Sequence, residues 1–86
     1  MKATEKILKA LANRRRLAIV QFLHKTGKAS VGEISTEIKL SFKATSKHLR
    51  ILANADMLDR EQVSLAMFYS LSRPVNAILR SVLAVL

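Results

Sequence analysis

Ser41-Phe42-Lys43-Ala44-Thr45-Ser46-Lys47-His48-Leu49-Arg50-Ile51-Leu52 is the stretch around which the chain is read. Serine opens it, and a serine oxygen can accept from the free N–H groups of a helix start. Leu49 and Leu52 follow at helical spacing, with Thr45 one turn earlier on the same side. Lys43, Lys47 and Arg50 occupy the other side, four and three residues apart. Like charges at those spacings cost an isolated helix roughly 0.2–0.5 kcal/mol per pair. A helix that carries this cost is expected to face an anion, and the reading helix of a DNA-binding domain is expected here. The plainer alternative is a solvated, lysine-rich helix face.

The totals point the same way. Eighty-six residues suffice for one domain, and a core that small gains from oligomerisation. Fifteen Lys and Arg against six Asp and Glu give a formal charge of +9, which favours nucleic acid first and an anionic membrane surface second. The charge is also clustered. No acid lies between Glu5 and Glu33, where Lys6, Lys9, Arg14, Arg15, Arg16, Lys25 and Lys28 fall, and none between Glu37 and Asp56. With no cysteine, the chain has no disulfide, thiolate metal site or cysteine nucleophile. No secretory leader and no membrane-spanning run are read, so a cytoplasmic protein is expected.

In chain order, a first helix is expected over residues 3–12, with Ile7, Leu8 and Leu11 as its apolar stripe. Asn13 caps a second over about 14–26, which Gly27 ends. Ser30 and Glu33 have capping-box spacing ahead of a third helix to about Ile38. Lys39, Leu40 and Ser41 then connect to the opening stretch, which runs to about Asn54. A short helix, a tight turn and a longer basic helix outline a helix-turn-helix over about 31–54, although its turn lacks the usual glycine. A β-hairpin is expected over about 57–71, with Glu61-Gln62-Val63-Ser64 as its connection. A last helix over about 74–86 follows, with Pro74 in its first turn and Ser72 as cap.

Those pieces resemble a known family. Leu8 to Leu23, with Asn13 before Arg14-Arg15-Arg16-Leu17, is similar to the opening of ArsR-type (arsenical-repressor-like) winged-helix transcriptional regulators. Ser46-Lys47-His48-Leu49-Arg50-Ile51-Leu52 resembles their recognition-helix motif of Ser, any residue, His, Leu, two residues, Leu. Met57-Leu58 and Phe68-Tyr69-Ser70-Leu71 resemble the two strands of the wing. The order of the pieces, over nearly the whole chain, carries the resemblance. It implies a mainly α fold with a small β-hairpin: four helices, the hairpin and a last helix, as a dimeric winged helix-turn-helix.

Three departures stand out. Arg14 replaces a proline, Asp56 replaces the glycine before the wing, and the wing tip lacks glycine and arginine.

For the opening stretch the resemblance implies base and phosphate contacts from Phe42, Lys43, Thr45, Ser46 and Lys47. A helix fits the major groove with its N-terminal side chains at base edges. Lys43 and Lys47 suit phosphate or a guanine edge, and Arg50 extends their row. Ser46 suits a phosphate or base. Thr45 either touches a thymine methyl or lies in the core, and Phe42 poses the same choice. His48 either contacts DNA or serves as a structural hydrogen-bonder, the commoner role for a lone helical histidine. Arg14, Arg15 and Arg16 offer a second phosphate contact, unless Arg16 fixes the fold internally. Arg60 and Gln62 on the wing are candidates for the neighbouring backbone or minor groove.

Metal sensing lacks its ligands, since there is no cysteine and the last helix has no His, Asp or Glu. No nucleophile–base pair, phosphate loop or paired carboxylates suggest an enzyme, and no cofactor or effector is read. The last helix carries one charge after Pro74, Arg80, and apolar residues on more than one stripe. A monomer this small cannot bury all of that, and the resemblance implies a symmetric homodimer through the first and last helices, using Ile7, Leu8, Leu11, Val75, Ile78, Leu79, Val82, Leu83 and Leu86. The expected function is a double-stranded DNA-binding regulator, a repressor on an inverted-repeat operator. A basic module for a protein partner or structured RNA is the alternative, and a membrane-surface helix the second rival.

Overall fold

The computed structural model describes residues 1–86. Its order is α1 (Lys2–Leu11), α2 (Arg14–Thr26), β1 (Lys28–Ser30), α3 (Val31–Ile38), α4 (Phe42–Asn54), β2 (Leu58–Val63), β3 (Ala66–Leu71) and α5 (Ala77–Val85). The antiparallel sheet has the order β1-β3-β2. The fold is a winged helix-turn-helix, with α3 and α4 as the paired helices and β2–β3 as the wing. No helix is long and apolar enough to cross a membrane.

Side-chain caps set most helix starts. Asn13 Oδ1 accepts from the amides of Arg15 (2.9 Å) and Arg16 (3.1 Å). Ser30 Oγ accepts from the Glu33 amide (3.1 Å) while Glu33 Oε1 accepts from the Ser30 amide (2.8 Å), closing the capping box. Ser41 Oγ accepts from the Ala44 amide (3.1 Å) and starts α4. The core is contributed by every helix and by the sheet. Ile19 and Leu23 of α2, Ile34 of α3 and Leu49 and Leu52 of α4 are wholly buried, with Met57 and Leu79 1% exposed.

Three expectations need correction. The last helix starts at Ala77, because Asn76 Oδ1 accepts from the Leu79 amide (2.8 Å) and caps it. Ser72 is engaged elsewhere: its amide donates to the Met57 carbonyl (2.9 Å) and its hydroxyl to Asp59 (2.8 Å), closing the base of the wing. The first wing strand continues through Val63, so that only Ser64 and Leu65 form the turn. The third strand, β1, has no counterpart among the sequence expectations; it pairs Lys28 with Ser70, Ala29 with Tyr69 and Ser30 with Phe68.

The missing turn glycines are replaced by strained residues. Lys39 after α3, Asp56 after α4 and Ser64 at the wing tip have φ of 56°, 61° and 56°. At the first two, the next amide donates five residues back, Leu40 to Ser35 (3.1 Å) and Met57 to Leu52 (3.3 Å). That bond defines a Schellman ending, whose left-handed residue is usually glycine. An L side chain there costs about 1–2 kcal/mol. Tertiary packing holds the turns in place: Met57 and Leu58, which follow Asp56, are buried.

Candidate nucleic-acid interface

Helix α4 has two faces with opposite environments. Thr45, Leu49 and Leu52 are wholly buried. Lys43, Lys47, Arg50 and Asn54 lie on the opposite side and are exposed, as the 3.6-residue repeat requires. Ser41, Lys43, Ala44, Lys47 and Arg50 line one shallow depression. None of these cations has an acidic partner, since the ion pairs of the fold are Lys9 with Glu5 (3.7 Å) and Lys28 with Glu61 (3.1 Å). Three neighbouring positive charges left unpaired along a helix are arranged for an external anion.

Two further basic depressions flank this row. Arg14, Arg15, Ala18, Ile38 and Lys39 line one, beside the helix-turn-helix turn. Arg50, Ala53, Asn54, Leu58 and Arg60 line the other, where α4 meets the wing. The structure thus brings Arg14 and Arg15 to Lys39, and Arg60 to Arg50. Arg15 is partly committed, because its Nη1 donates to the Ile38 carbonyl (2.8 Å) and satisfies the end of α3. Gln62 sits further along β2, opposite Met67, with its amide 3.5 Å from the Ser64 carbonyl.

A family model described as "Bacterial regulatory protein, arsR family" matches residues 13–60, which is α2 through the first wing residues. The chain belongs to this family. It is 39% identical over 66 residues to the transcriptional activator HlyU of Vibrio cholerae serotype O1, over 77% of this chain and 60% of that protein. The chain thus spans 60% of the length of that curated relative. A solved structure of reduced HlyU from Vibrio cholerae is 30% identical with a TM-score of 0.82, covering 98% of this chain and 84% of that one. The transcriptional repressor PagR of Bacillus anthracis is 26% identical with a TM-score of 0.80, covering 98% and 92%.

Within this ArsR-family chain, several assigned residues change role. Thr45 is wholly buried and takes the core alternative, so it is removed from the interface. Its hydroxyl has no hydrogen-bond partner. A buried unsatisfied hydroxyl costs about 1–3 kcal/mol. Thr45→Val should therefore raise stability by about 1 kcal/mol, or roughly 4–8 °C in Tm for a domain of this size. Thermal unfolding followed by circular dichroism checks this, and a fall in Tm would mean that the hydroxyl is in fact satisfied.

Phe42 takes the opposite course and is 63% exposed at the first turn of α4, so it fills no core. Ser46 is half-buried on the flank of the row. Leu11 and Leu79 lie inside the protomer, 4% and 1% exposed, because α1 and α5 pack on α2. They are corrected from interface to core. Leu8 (51% exposed), Val85 (83%) and Leu86 (47%) remain uncovered, with Ile7, Val75, Ile78, Val82 and Leu83 half-buried beside them. Arg16 is half-buried and committed within the protomer, bound to α1 and α4. His24 and His48 lie on different helices, and no three His, Cys, Asp or Glu side chains come together.

Sequence reasoning misses Lys39 and Asn54. Asn54 continues the Lys43–Lys47–Arg50 face by one turn, a signal that the helical repeat provides. Lys39 has none, since only the fold brings it to Arg14 and Arg15.

Proposed function

We propose that the chain binds double-stranded DNA as a transcriptional regulator, through α4 in the major groove. The observation that carries the reading is the exposed, acid-free row of Lys43, Lys47 and Arg50 opposite the buried face of α4. Lys43, Ser46 and Lys47 are placed at base edges and phosphates, with Phe42 packing on a thymine methyl. Arg14, the free N–H groups of Arg15, and Lys39 bind the backbone on one flank, and Arg50 and Arg60 on the other. Gln62 extends the wing contact.

The uncovered apolar surface of α1 and α5 supports a symmetric homodimer built on Ile7, Leu8, Val75, Ile78, Val82, Leu83 and Leu86, with Val85 added. Two copies of α4 would read half-sites about one helical turn apart, so the operator is an inverted repeat. We read the 86 residues as one such unit, acting in the cytoplasm by blocking promoter access. Likeness to the repressor PagR supports repression, while the relative HlyU is named an activator.

Selection of duplexes from a random pool tests the whole reading. Recovery of a palindromic consensus is the expected result, and recovery of no duplex, or only of structured RNA in a parallel pool, would overturn it.

Lys39 provides a sharper check. Lys39→Gly relieves a left-handed lysine and should raise stability by about 0.5–1 kcal/mol. The same change should weaken DNA binding and reduce its salt slope by about one. Stability and affinity moving in the same direction would remove Lys39 from the interface.

A further inference from the structure

Arg16, on α2, ties two other helices together. Its Nε donates to the Ala10 carbonyl and its Nη2 to the Lys9 carbonyl (3.4 Å), both at the open C-terminal end of α1. Its Nη1 lies 3.2 Å from His48 Nδ1 on α4. The end of α1 carries partial negative charge and suits a guanidinium. The bond to α4 dictates the state of His48. A guanidinium has donors and no acceptor, so Nδ1 must accept and the ring must be neutral, with its proton on Nε2. A protonated ring would set N–H against N–H and cation against cation.

Nothing nearby stabilises that cation. The charges acting on the ring are Arg16 and Arg15 from α2 and Lys47 from α4, all positive, and no carboxylate of α1, α3 or the wing is among them. The Lys9 ammonium on α1 is paired with Glu5. Burial first, and then these cations, lower the pKa of His48 from the ordinary 6.5. The unfolded chain therefore takes the proton first. The contribution of the bridge to stability is complete above about pH 6.5 and falls away as pH drops from there through the lowered folded value.

We propose that the Arg16–His48 pair is a positioning bridge that fixes the reading helix α4 against the C-terminal end of α1, and that protonation of His48 releases it and lowers DNA affinity. The proposal rests on the DNA-binding reading above. His48 touches no DNA in this scheme, because it is half-buried on the side of α4 that Arg16 approaches. Its effect passes through the orientation of Lys43, Lys47 and Arg50. Since α1 is also placed in the dimer, the bridge connects the spacing of the two reading helices with proton concentration.

The sign of the pH effect separates this from simple electrostatics. A histidine acting only through its charge would strengthen binding to a polyanion when protonated, whereas release of the bridge weakens it. Binding of a fluorescein-labelled duplex recovered from the random pool is measured between about pH 7.5 and about pH 5.5 at fixed ionic strength. The expected result is about tenfold weaker binding at the acid end, a coupling of ordinary size. His48→Asn keeps a neutral acceptor near the Nδ1 position at every pH, and its affinity should not weaken on acidification. Acidification that strengthens parent binding, or weakens parent and variant alike, overturns the proposal.

An NMR titration reads the bridge without DNA. The His48 ring should titrate below about pH 6.5, with the amides of residues 9–12 and 42–54 moving at the same midpoint in the parent and not in the variant. A ring that titrates with no response in α1 also overturns the proposal. A pool that yields no duplex removes the DNA-binding reading and the affinity half of the proposal with it, while the titration still decides the bridge.

Discussion

Replacement of Lys43, Lys47 and Arg50 together by alanine lowers the magnitude of the slope of log affinity against log salt by about 2.7 for each protomer engaged, at about 0.9 for each phosphate no longer neutralised. Extrapolated from a common value near 1 M salt, this is roughly a 500-fold fall in affinity per protomer at about 0.1 M salt. The parent should itself weaken by about three to five orders of magnitude between about 50 and about 200 mM salt if six to ten phosphates are engaged. The fold should survive the triple change. All three side chains are exposed and none is in an ion pair. Their removal relieves like-charge neighbours at helical spacing, and alanine is the best helix former. Fluorescence anisotropy across a salt series gives the slope, and circular dichroism confirms the helix. A triple variant with the parent's affinity and slope would show that α4 is not the reading helix, and a flat parent would remove the electrostatic basis of the interface.

The second large effect concerns assembly. Leu8 and Val85 are 51% and 83% exposed, so Leu8→Glu with Val85→Glu disturbs no protomer core. The double variant should sediment as a folded monomer, because four carboxylates buried without partners in a two-fold interface are strongly unfavourable. Its affinity for a palindromic duplex should fall by about two to four orders of magnitude, since the second half-site no longer benefits from linkage to the first. Binding to a single half-site should change little. A double variant that stays dimeric would move the interface away from α1 and α5. A monomer with undiminished affinity for the palindrome would show that dimerisation is not part of recognition.

Which parts are legible in the chain follows from the range of the interactions involved. Asn13, Ser30 with Glu33, and Ser41 are local caps, each acting within three residues, and all are found in place. The core residues Val31, Ile34 and Ile38 of α3, and Leu49 and Leu52 of α4, repeat at helical spacing and are buried. The start of α5 is misplaced from the sequence because Ser72, the cap expected there, is taken up by Asp59 and Met57, and Asn76 caps the helix instead. The strand Lys28–Ser30 is too short to show an alternating pattern and exists because β3 lies beside it. Left-handed turns at Lys39, Asp56 and Ser64 carry no glycine to announce them.

At the interface the division is similar. The positions of Lys43, Lys47 and Arg50 on one helix face, and the clustering of basic charge, were determined by the sequence, because a 3.6-residue repeat and a net charge are properties of the chain itself. The tertiary structure alone decided the role of their neighbours. It sent Thr45 inward and left Phe42 outside, took Leu11 and Leu79 into the protomer, and joined Lys39 to Arg14 and Arg15. It separated the three consecutive arginines into one free, one partly held by Ile38 and one bound to α1 and His48. Adjacent residues on a helix point about 100° apart, so identical side chains in a row meet different surroundings, and only the packing of other helices says which.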